Sequence, residues 1–292
     1  MSDIAGAPSS STLLRWATLI FIVANVAFIV VYSGQGETPT IAEVAAAYGY
    51  AFVPDLFVKA MCAVMLGAFL LFYIVALWPG RHRKRVYDTL VVPLALTSVL
   101  ASLWIVAFRN EVLGLSALLN AASVALGCVM FVRVASASPS RHSPWLRVPF
   151  SLYFGAMTLA LLITLTQWLN ASGMLAKSAL APDDVATACL AIAAATGGFV
   201  ALRYNDFVYP AVITSGAGAM FIAQRAYDQN VAADALAVCI GMLVVAGLAA
   251  VALAHRPREP KENGARRRTR LERRAREEWG TPLEASSSIM PH

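Results

Sequence analysis

Two long apolar runs joined by a short polar corner dominate residues 90–134. Each run has about 20 residues, enough to cross a hydrocarbon core of roughly 30 Å as a helix, so the stretch predicts a membrane-spanning hairpin. The corner is Arg109-Asn110-Glu111, whereas a basic cluster at 81–85 precedes the hairpin and further arginines follow it. Because Lys and Arg collect on the cytoplasmic side of membranes, both ends of the hairpin are predicted inside and its corner outside.

The composition extends this reading to the whole chain. Of its 292 residues, 59% are hydrophobic and 14% are charged, and its mean hydropathy is +0.64. Soluble domains carry roughly 25% charged residues, so the chain is predicted to be a membrane protein whose main partner is the lipid bilayer. Of the net charge of +6, the segment after His255 carries +4, from ten basic and six acidic residues. This concentration in one tail argues against a nucleic-acid partner.

Apolar runs outside the hairpin predict six further spans, with a long external loop after the first. The predicted fold is an all-α, polytopic membrane helix bundle of about eight transmembrane helices. The six runs cover about residues 13–32, 56–78, 148–170, 185–202, 207–223 and 235–254. The seventh span, 207–223, is short, and Pro210, Gly216 and Gly218 weaken it as a simple helix. It is expected to be either little tilted or locally irregular where protein covers its backbone.

An even number of spans places both termini on one side. The prediction is a cell-membrane protein with residues 1–12 and the tail, 255–292, in the cytoplasm, on either side of a membrane domain at 13–254. The tail is expected to be disordered or associated with lipid. Its arginines attract anionic lipid by about 1 kcal/mol per charge; docking of a protein partner is the alternative. The tail arginines concerned are Arg266, Arg267, Arg268, Arg270, Arg273 and Arg274.

The residues of the spans do not favour catalysis or metal binding. All four histidines lie in predicted internal loops or the tail, and no nucleophile, metal-ligand or phosphate-binding motif lies on a suitable scaffold. Neither an enzyme, nor a metal site, nor a required cofactor is therefore expected. Asp55 and Lys59 lie four residues apart at the start of span two, where they form either an interfacial ion pair or a pair that gates an external pocket.

Three short stretches resemble the TspO/MBR family of tryptophan-rich sensory proteins, in its longer bacterial form. They are Gly49-Tyr50-Ala51-Phe52 before span two, Leu100-Ala101-Ser102-Leu103-Trp104 in span three, and Pro149-Phe150-Ser151-Leu152-Tyr153 in span five. The resemblance implies a five-helix unit at 13–170 followed by three added spans at 185–254. It also implies a bundle that binds flat apolar ligands such as tetrapyrroles or sterols for sensing or regulation, with the first loop as a lid.

On that basis six residues form the candidate ligand site: Tyr50, Phe52, Phe57, Trp104, Asn120 and Tyr153. Tyr50 and Phe52 would close the pocket, while Trp104 and Tyr153 would stack on a ring system. Asn120 would supply one hydrogen bond that orients the ligand, or it would join two helices instead. The ligand would be a small apolar molecule, with a non-covalent tetrapyrrole included.

Two further classes of function remain open from the residues alone. One is a small-molecule transporter whose spans move around a central path. The other is a non-catalytic membrane scaffold that acts through its basic tail. The sequence also leaves open whether the protein forms a homodimer.

Overall fold

A computed structural model describes residues 10–34, 39–48, 55–77, 85–137, 144–177, 181–226 and 228–255. These residues are almost entirely helical, and no strand occurs among them. Eight helices are long, and α2 and α7 are short. In chain order the helices are α1 (Ser10–Gly34), α2 (Ile41–Ala47), α3 (Asp55–Leu77), α4 (Arg85–Arg109), α5 (Leu113–Ala137), α6 (Pro144–Ala171), α7 (Met174–Lys177), α8 (Pro182–Tyr204), α9 (Val208–Gln224) and α10 (Gln229–His255).

The eight long helices coincide with the eight predicted spans, so the predicted fold class is confirmed. In five of them, α4, α5, α6, α8 and α10, the apolar stretch is long enough to cross a membrane; in α1, α3 and α9 it is shorter. The chain divides into two compact units, 1–254 and 255–292. The six tail arginines lie outside the described residues.

Of the two alternatives for the seventh span, local irregularity is wrong, because α9 is a continuous helix of 17 residues. Pro210 falls in its first turn, where a missing backbone N–H breaks no intrahelical hydrogen bond. Asp206 precedes the helix, and its Oδ1 accepts hydrogen bonds from the backbone N–H groups of Val208 and Tyr209, at 2.9 Å each. The side chain therefore satisfies two of the donors that a helix start leaves free.

The first five long helices form a closed ring. Neighbours in the ring follow the order α1, α3, α6, α5, α4 and back to α1. The closest packing joins α5 to α6 and α4 to α5, which are antiparallel neighbours in the chain. Ser102 donates a hydrogen bond to Asn25 Oδ1 at 2.7 Å, which ties α4 to the distant α1. The ring is thus closed by contacts between segments about 80 residues apart in sequence.

Within the ring, helix α3 contacts its neighbour α6 mainly through aromatic side chains. The ring centroids of Phe72 and Phe150 lie 5.0 Å apart in an edge-to-face arrangement. Phe69 packs beside Tyr153 with centroids 5.6 Å apart. Much of the remainder of α3 is exposed, including Val64. The contact of α3 with α6 is therefore concentrated in the C-terminal half of α3.

Helices α8 and α9 pack outside the ring, against α6, and α10 lies beside α8 and α9. Tyr209 on α9 is fully buried, and its hydroxyl lies 2.9 Å from Thr158 Oγ1 on α6 and 3.4 Å from Thr196 Oγ1 on α8. Gly197 on α8 lies close to Met242 on α10, which agrees with the use of small residues at helix contacts in membranes. Helix α10 otherwise exposes most of its surface.

Candidate ligand cavity and its lid

A cavity of about 430 Å³ lies inside the bundle. This volume falls within the range of about 300–1,000 Å³ that is typical of small-molecule sites. Its wall is mainly aliphatic and aromatic, and none of the described residues that line it carries a formal charge. The polar side chains in the wall are hydroxyls and amides: Asn25, Thr97, Ser98, Asn120, Ser123 and Thr166, besides Trp104 and Tyr153.

Four of the six predicted site residues line this one cavity. Phe57 comes from α3, Trp104 from α4, Asn120 from α5 and Tyr153 from α6. The folded chain therefore brings together side chains from four helices that are far apart in sequence. Their role in ligand binding remains a prediction.

The other predicted residues are only partly described. Tyr50 and Phe52 lie outside the described residues, as does the side chain of Asp55. Lys59 lies on the exposed side of α3. The predicted pair of Asp55 and Lys59 is therefore untested.

Trp104 combines a flat face with a hydrogen-bond donor that has no acceptor. Its indole Nε1–H is buried and has no partner among the described residues. A buried donor without an acceptor raises the free energy of the folded state by about 1–3 kcal/mol. Because Trp104 also lines the cavity, an acceptor atom on a ligand could satisfy this donor.

Asn120 uses its amide group to join two helices. Its Nδ2 donates to Thr164 Oγ1 on α6 at 2.8 Å, and it lies 3.4 Å from the Ala160 carbonyl oxygen. The alternative prediction, a hydrogen bond between helices, thus describes the amide nitrogen of Asn120. If Asn120 contacts a ligand, the contacting atom is therefore its side-chain carbonyl oxygen.

Tyr153 is held by its neighbours on α5. Only 4% of its surface is exposed, and its hydroxyl is hydrogen-bonded to Ser123. Gly127 makes room for the ring, because a Cβ at this position would lie 3.1 Å from Tyr153 Cδ1. Gly127 is therefore a requirement for the position of the tyrosine in the cavity wall.

The short helix α2 covers one end of the ring, and we call residues 39–48 the lid. Val44 on the lid is almost fully buried against Phe108 and Leu113, at the corner between α4 and α5. Trp104 and Trp168 pack against the same cluster. Because Trp104 packs against this cluster and also lines the cavity, movement of the lid would displace part of the cavity wall.

Polar contacts hold the lid in place. Arg109 is only 1% exposed; its Nε donates to the Pro39 carbonyl oxygen at 2.9 Å and its Nη1 to the Tyr32 carbonyl oxygen. Its guanidinium also lies over the Tyr32 ring, 4.8 Å from the ring centroid. One side chain thus connects the C-terminal end of α4 with α1 and with the lid.

Two further hydrogen bonds hold the other end of the lid. Asn170 Nδ2 donates to the Tyr48 carbonyl oxygen at 2.6 Å, and the Tyr48 hydroxyl donates to Glu111 Oε2 at 2.5 Å. This hydrogen bond to the Glu111 carboxylate raises the pKa of Tyr48, because it favours the protonated phenol. The lid is therefore fixed to both the α4–α5 corner and α6.

A capping box organises the start of the lid helix. The Thr40 backbone N–H donates to Glu43 Oε2 at 2.7 Å, and the Glu43 N–H donates to Thr40 Oγ1 at 3.2 Å. The hydrogen bonds from the backbone and hydroxyl of Thr40 lower the pKa of Glu43. The pattern Thr40-Ile41-Ala42-Glu43 indicates this capping box from sequence alone, and it is not among the features predicted above.

The role of Arg109 was also not predicted from the sequence. An arginine in a corner predicted to be external is unusual under the positive-inside rule and could have marked it.

A family model described as TSPO-like protein matches residues 13–251 of the chain. The chain belongs to the TSPO-like family. The resemblance to the TspO/MBR family is thereby confirmed. Neither a curated protein nor a solved structure matches the chain.

The family match extends from α1 into α10 and so includes all eight long helices. Together with the apolar helices, it identifies this TSPO-like chain as a multi-pass integral membrane protein. Among the residues described, no group of three or more His, Cys, Asp or Glu side chains could hold a metal ion. The chemistry that the TSPO-like cavity offers is stacking, apolar contact and a few hydrogen bonds.

Proposed function

We propose that this TSPO-like protein binds a neutral, flat and largely apolar ligand in the cavity, for sensing or regulation. The observation that supports the proposal is the convergence of Phe57, Trp104, Asn120 and Tyr153 on one cavity with an uncharged described wall. Aromatic faces stack on flat ring systems, and the indole N–H of Trp104 suits a single hydroxyl or carbonyl oxygen. A sterol-type molecule offers both features.

The uncharged wall discriminates between the two ligand classes that the family resemblance implies, sterols and tetrapyrroles. A sterol carries one neutral hydroxyl, whereas protoporphyrin and haem carry two carboxylates. Burial of a carboxylate without a cationic partner is unfavourable by several kcal/mol. Arg109, the buried cation at the lid end, is bonded to the carbonyl oxygens of Pro39 and Tyr32. The uncharged wall therefore favours the sterol class over the tetrapyrroles.

Fluorescence titration of the purified, detergent-solubilised protein tests the proposal. Dehydroergosterol, protoporphyrin and haem are added separately, and tryptophan emission is recorded. We expect saturable quenching by dehydroergosterol that is lost in Trp104→Phe and retained in Trp16→Phe, since Trp16 is exposed on α1. Flat titrations with all three molecules, or quenching unchanged in Trp104→Phe, would contradict the proposal.

Binding of radiolabelled cholesterol measures how much the Trp104 side chain contributes to the affinity. Trp104→Ala removes the stacking face and the N–H donor together. We expect its dissociation constant to rise at least about tenfold, which corresponds to about 1.4 kcal/mol. The yield of folded protein should stay the same, because the side chain borders an existing cavity.

The proposal includes the placement of the chain in the cell membrane, with both termini in the cytoplasm. The basic residues of the tail, Arg266 to Arg274 among them, would then face anionic lipid. Trypsin digestion of the reconstituted protein tests this contact. Cleavage of the tail should be slower in vesicles containing phosphatidylglycerol than in pure phosphatidylcholine, and high salt should abolish the difference. Equal rates in both lipids would contradict it.

A further inference from the structure

The cavity extends beyond the five-helix ring. Its wall includes residues of α8, among them Cys189 and Ala193, and residues of α9, among them Ile213 and Met220. These helices belong to the three spans that follow the ring, and the motifs that predicted the site give no reason for them to be there. The same continuous space thus contacts Trp104 at the lid end of the ring and two helices outside the ring.

Helix α6 lines this space along one broad face. Tyr153, Ala156, Ala160 and Ile163 all lie on this face, and Leu159 lies at its edge, where its side chain meets Gly216 of α9. On an α-helix, residues three, four and seven positions apart share a face. The cavity therefore passes along the side of α6 and reaches the surface on which α8 and α9 pack.

The seam between α3 and α6 provides the passage. Aromatic contacts close this seam at Phe69 and Phe72, whereas Phe57 and Met61, nearer the N-terminus of α3, line the cavity. A second groove of about 310 Å³ separates α3 from α9 and has the same Phe57 and Met61 in its wall. The N-terminal half of α3 is thus separated from α6 and α9 by open space.

The added part of the wall is small and apolar. Ala186 and Ala193 on α8 and Ala217 on α9 are buried small residues that line it, and Gly216 on α9 lies in close contact with Leu159 of α6. None of the described residues that α8 and α9 contribute is charged. Such a surface fits a hydrocarbon chain and offers nothing to a carboxylate.

We propose that α8 and α9 complete the ligand site and bind the hydrocarbon tail of an elongated neutral ligand, whose polar oxygen bonds to Trp104. The inference rests on the proposed function. It adds that the ligand is elongated and states which end of it lies at Trp104 and which end lies between α8 and α9. The ring system lies between Trp104 and Tyr153, and the tail passes the seam of α3 and α6. Helices α8 and α9, the first two of the three helices after the ring, are on this basis part of the recognition of the ligand.

A pair of sterols that differ only in the tail tests the inference. Cholesterol carries the hydrocarbon tail, and androst-5-en-3β-ol lacks it. In Ala193→Leu the new side chain points into the α8 part of the wall. We expect the variant to weaken cholesterol binding about tenfold and to leave binding of androst-5-en-3β-ol within about twofold. Ala191→Leu, on the exposed side of α8, is the matched control and should bind both sterols as the parent protein does.

The native cysteines give a second measurement that introduces no larger side chain into the wall. Cys62 on α3 and Cys189 on α8 line the cavity, whereas Cys239 on α10 lies beside Gly218. Variants that retain one cysteine are alkylated with membrane-permeant N-ethylmaleimide, with and without cholesterol. We expect cholesterol to slow the alkylation of Cys62 and Cys189 at least threefold and to leave that of Cys239 unchanged.

The outcomes separate this inference from the proposed function. Protection of Cys62 without protection of Cys189, or equal effects of Ala193→Leu on the two sterols, would overturn the inference and leave the ring as the site. Absence of sterol binding in the parent protein would overturn both. Protection of Cys189 together with a tail-dependent effect of Ala193→Leu would support both.

Discussion

The lid and the three helices after the ring are attached to the same bundle by different means. The lid is held by directional polar contacts, chiefly those of Arg109 and Asn170 with backbone carbonyl oxygens. Helices α8 and α9 are held on α6 by close packing at glycines and by one buried tyrosine, Tyr209. Hydrogen bonds and charges at the lid respond to pH, whereas packing inside the bundle depends on shape.

The difference follows from the surroundings of each contact. Inside a lipid bilayer the hydrophobic effect does not drive helices together, because lipid tails are as apolar as the side chains, so helices associate through close packing and hydrogen bonds. The lid, by contrast, has only one well-buried apolar anchor among its described side chains, Val44, and a short helix needs further contacts to stay folded. Changes in side-chain shape should therefore weaken the packing of α8 and α9 on α6 most. Changes in charge should weaken the contacts of the lid most.

The largest effect is expected at Gly155, where α6 meets α9. A Cβ here would lie 3.1 Å from both Cβ and Cγ1 of Val212, a branched side chain that has little freedom to move. Gly155→Leu should destabilise the bundle by about 1–3 kcal/mol, as overpacking does. Thermal unfolding in detergent measures it. Gly198→Leu, where no atom lies within 4 Å of the new Cβ, is the control, and equal unfolding temperatures of the two variants would contradict the packing argument.

A smaller effect is expected at Arg109. Arg109→Ala leaves the carbonyl oxygens of Pro39 and Tyr32 without this donor, and the loss is concentrated at the lid. Cleavage after Glu43 by a glutamate-specific protease should become at least tenfold faster, while the unfolding temperature of the bundle changes little. Arg109→Lys should restore only part of the protection, because an ammonium group lacks the planar fork of the guanidinium. Unchanged cleavage in Arg109→Ala would show that other contacts hold the lid.

The smallest effect is expected from pH. The pKa of Glu43 is lowered by its hydrogen bonds to Thr40, so the carboxylate stabilises the lid helix above the ordinary glutamate pKa of about 4.3. This contribution is lost as the pH falls through the lowered pKa. A fluorophore attached at Ala47→Cys in a background without other cysteines should report no change between pH 7 and 5 and a small change below about pH 4. Glu43→Gln should remove that change, and a transition near neutral pH would contradict the assignment.

The sequence was sufficient for the fold class and for part of the site. Apolar runs and basic loops predict the eight helices because length and charge act locally along the chain. The convergence of Phe57, Trp104, Asn120 and Tyr153 on one cavity was predicted only through the family resemblance, since no local pattern states which faces of four helices meet. Their hydrogen bonds, such as that of Asn120 to Thr164, depend on the rotation of each helix.

Other features required the folded chain. Arg109 contacts residues about 70 and 77 positions earlier, a separation at which sequence spacing predicts nothing. The contribution of α8 and α9 to the cavity wall follows from the incomplete seam between α3 and α6, which is a property of packing. Local irregularity, one of the two alternatives for the seventh span, is wrong partly because Pro210 lies in the first turn of α9, where a proline is harmless.

Photo-crosslinking with a diazirine-bearing cholesterol, followed by mass spectrometry of the labelled peptides, locates the bound ligand directly. If the ligand occupies the cavity, adducts will form on residues that line it, in α4, α6, α8 and α9, and will be lost when unlabelled cholesterol is added. Adducts confined to the exposed face of α10, at residues such as Leu243 and Leu248, and unaffected by unlabelled cholesterol would contradict binding in the cavity.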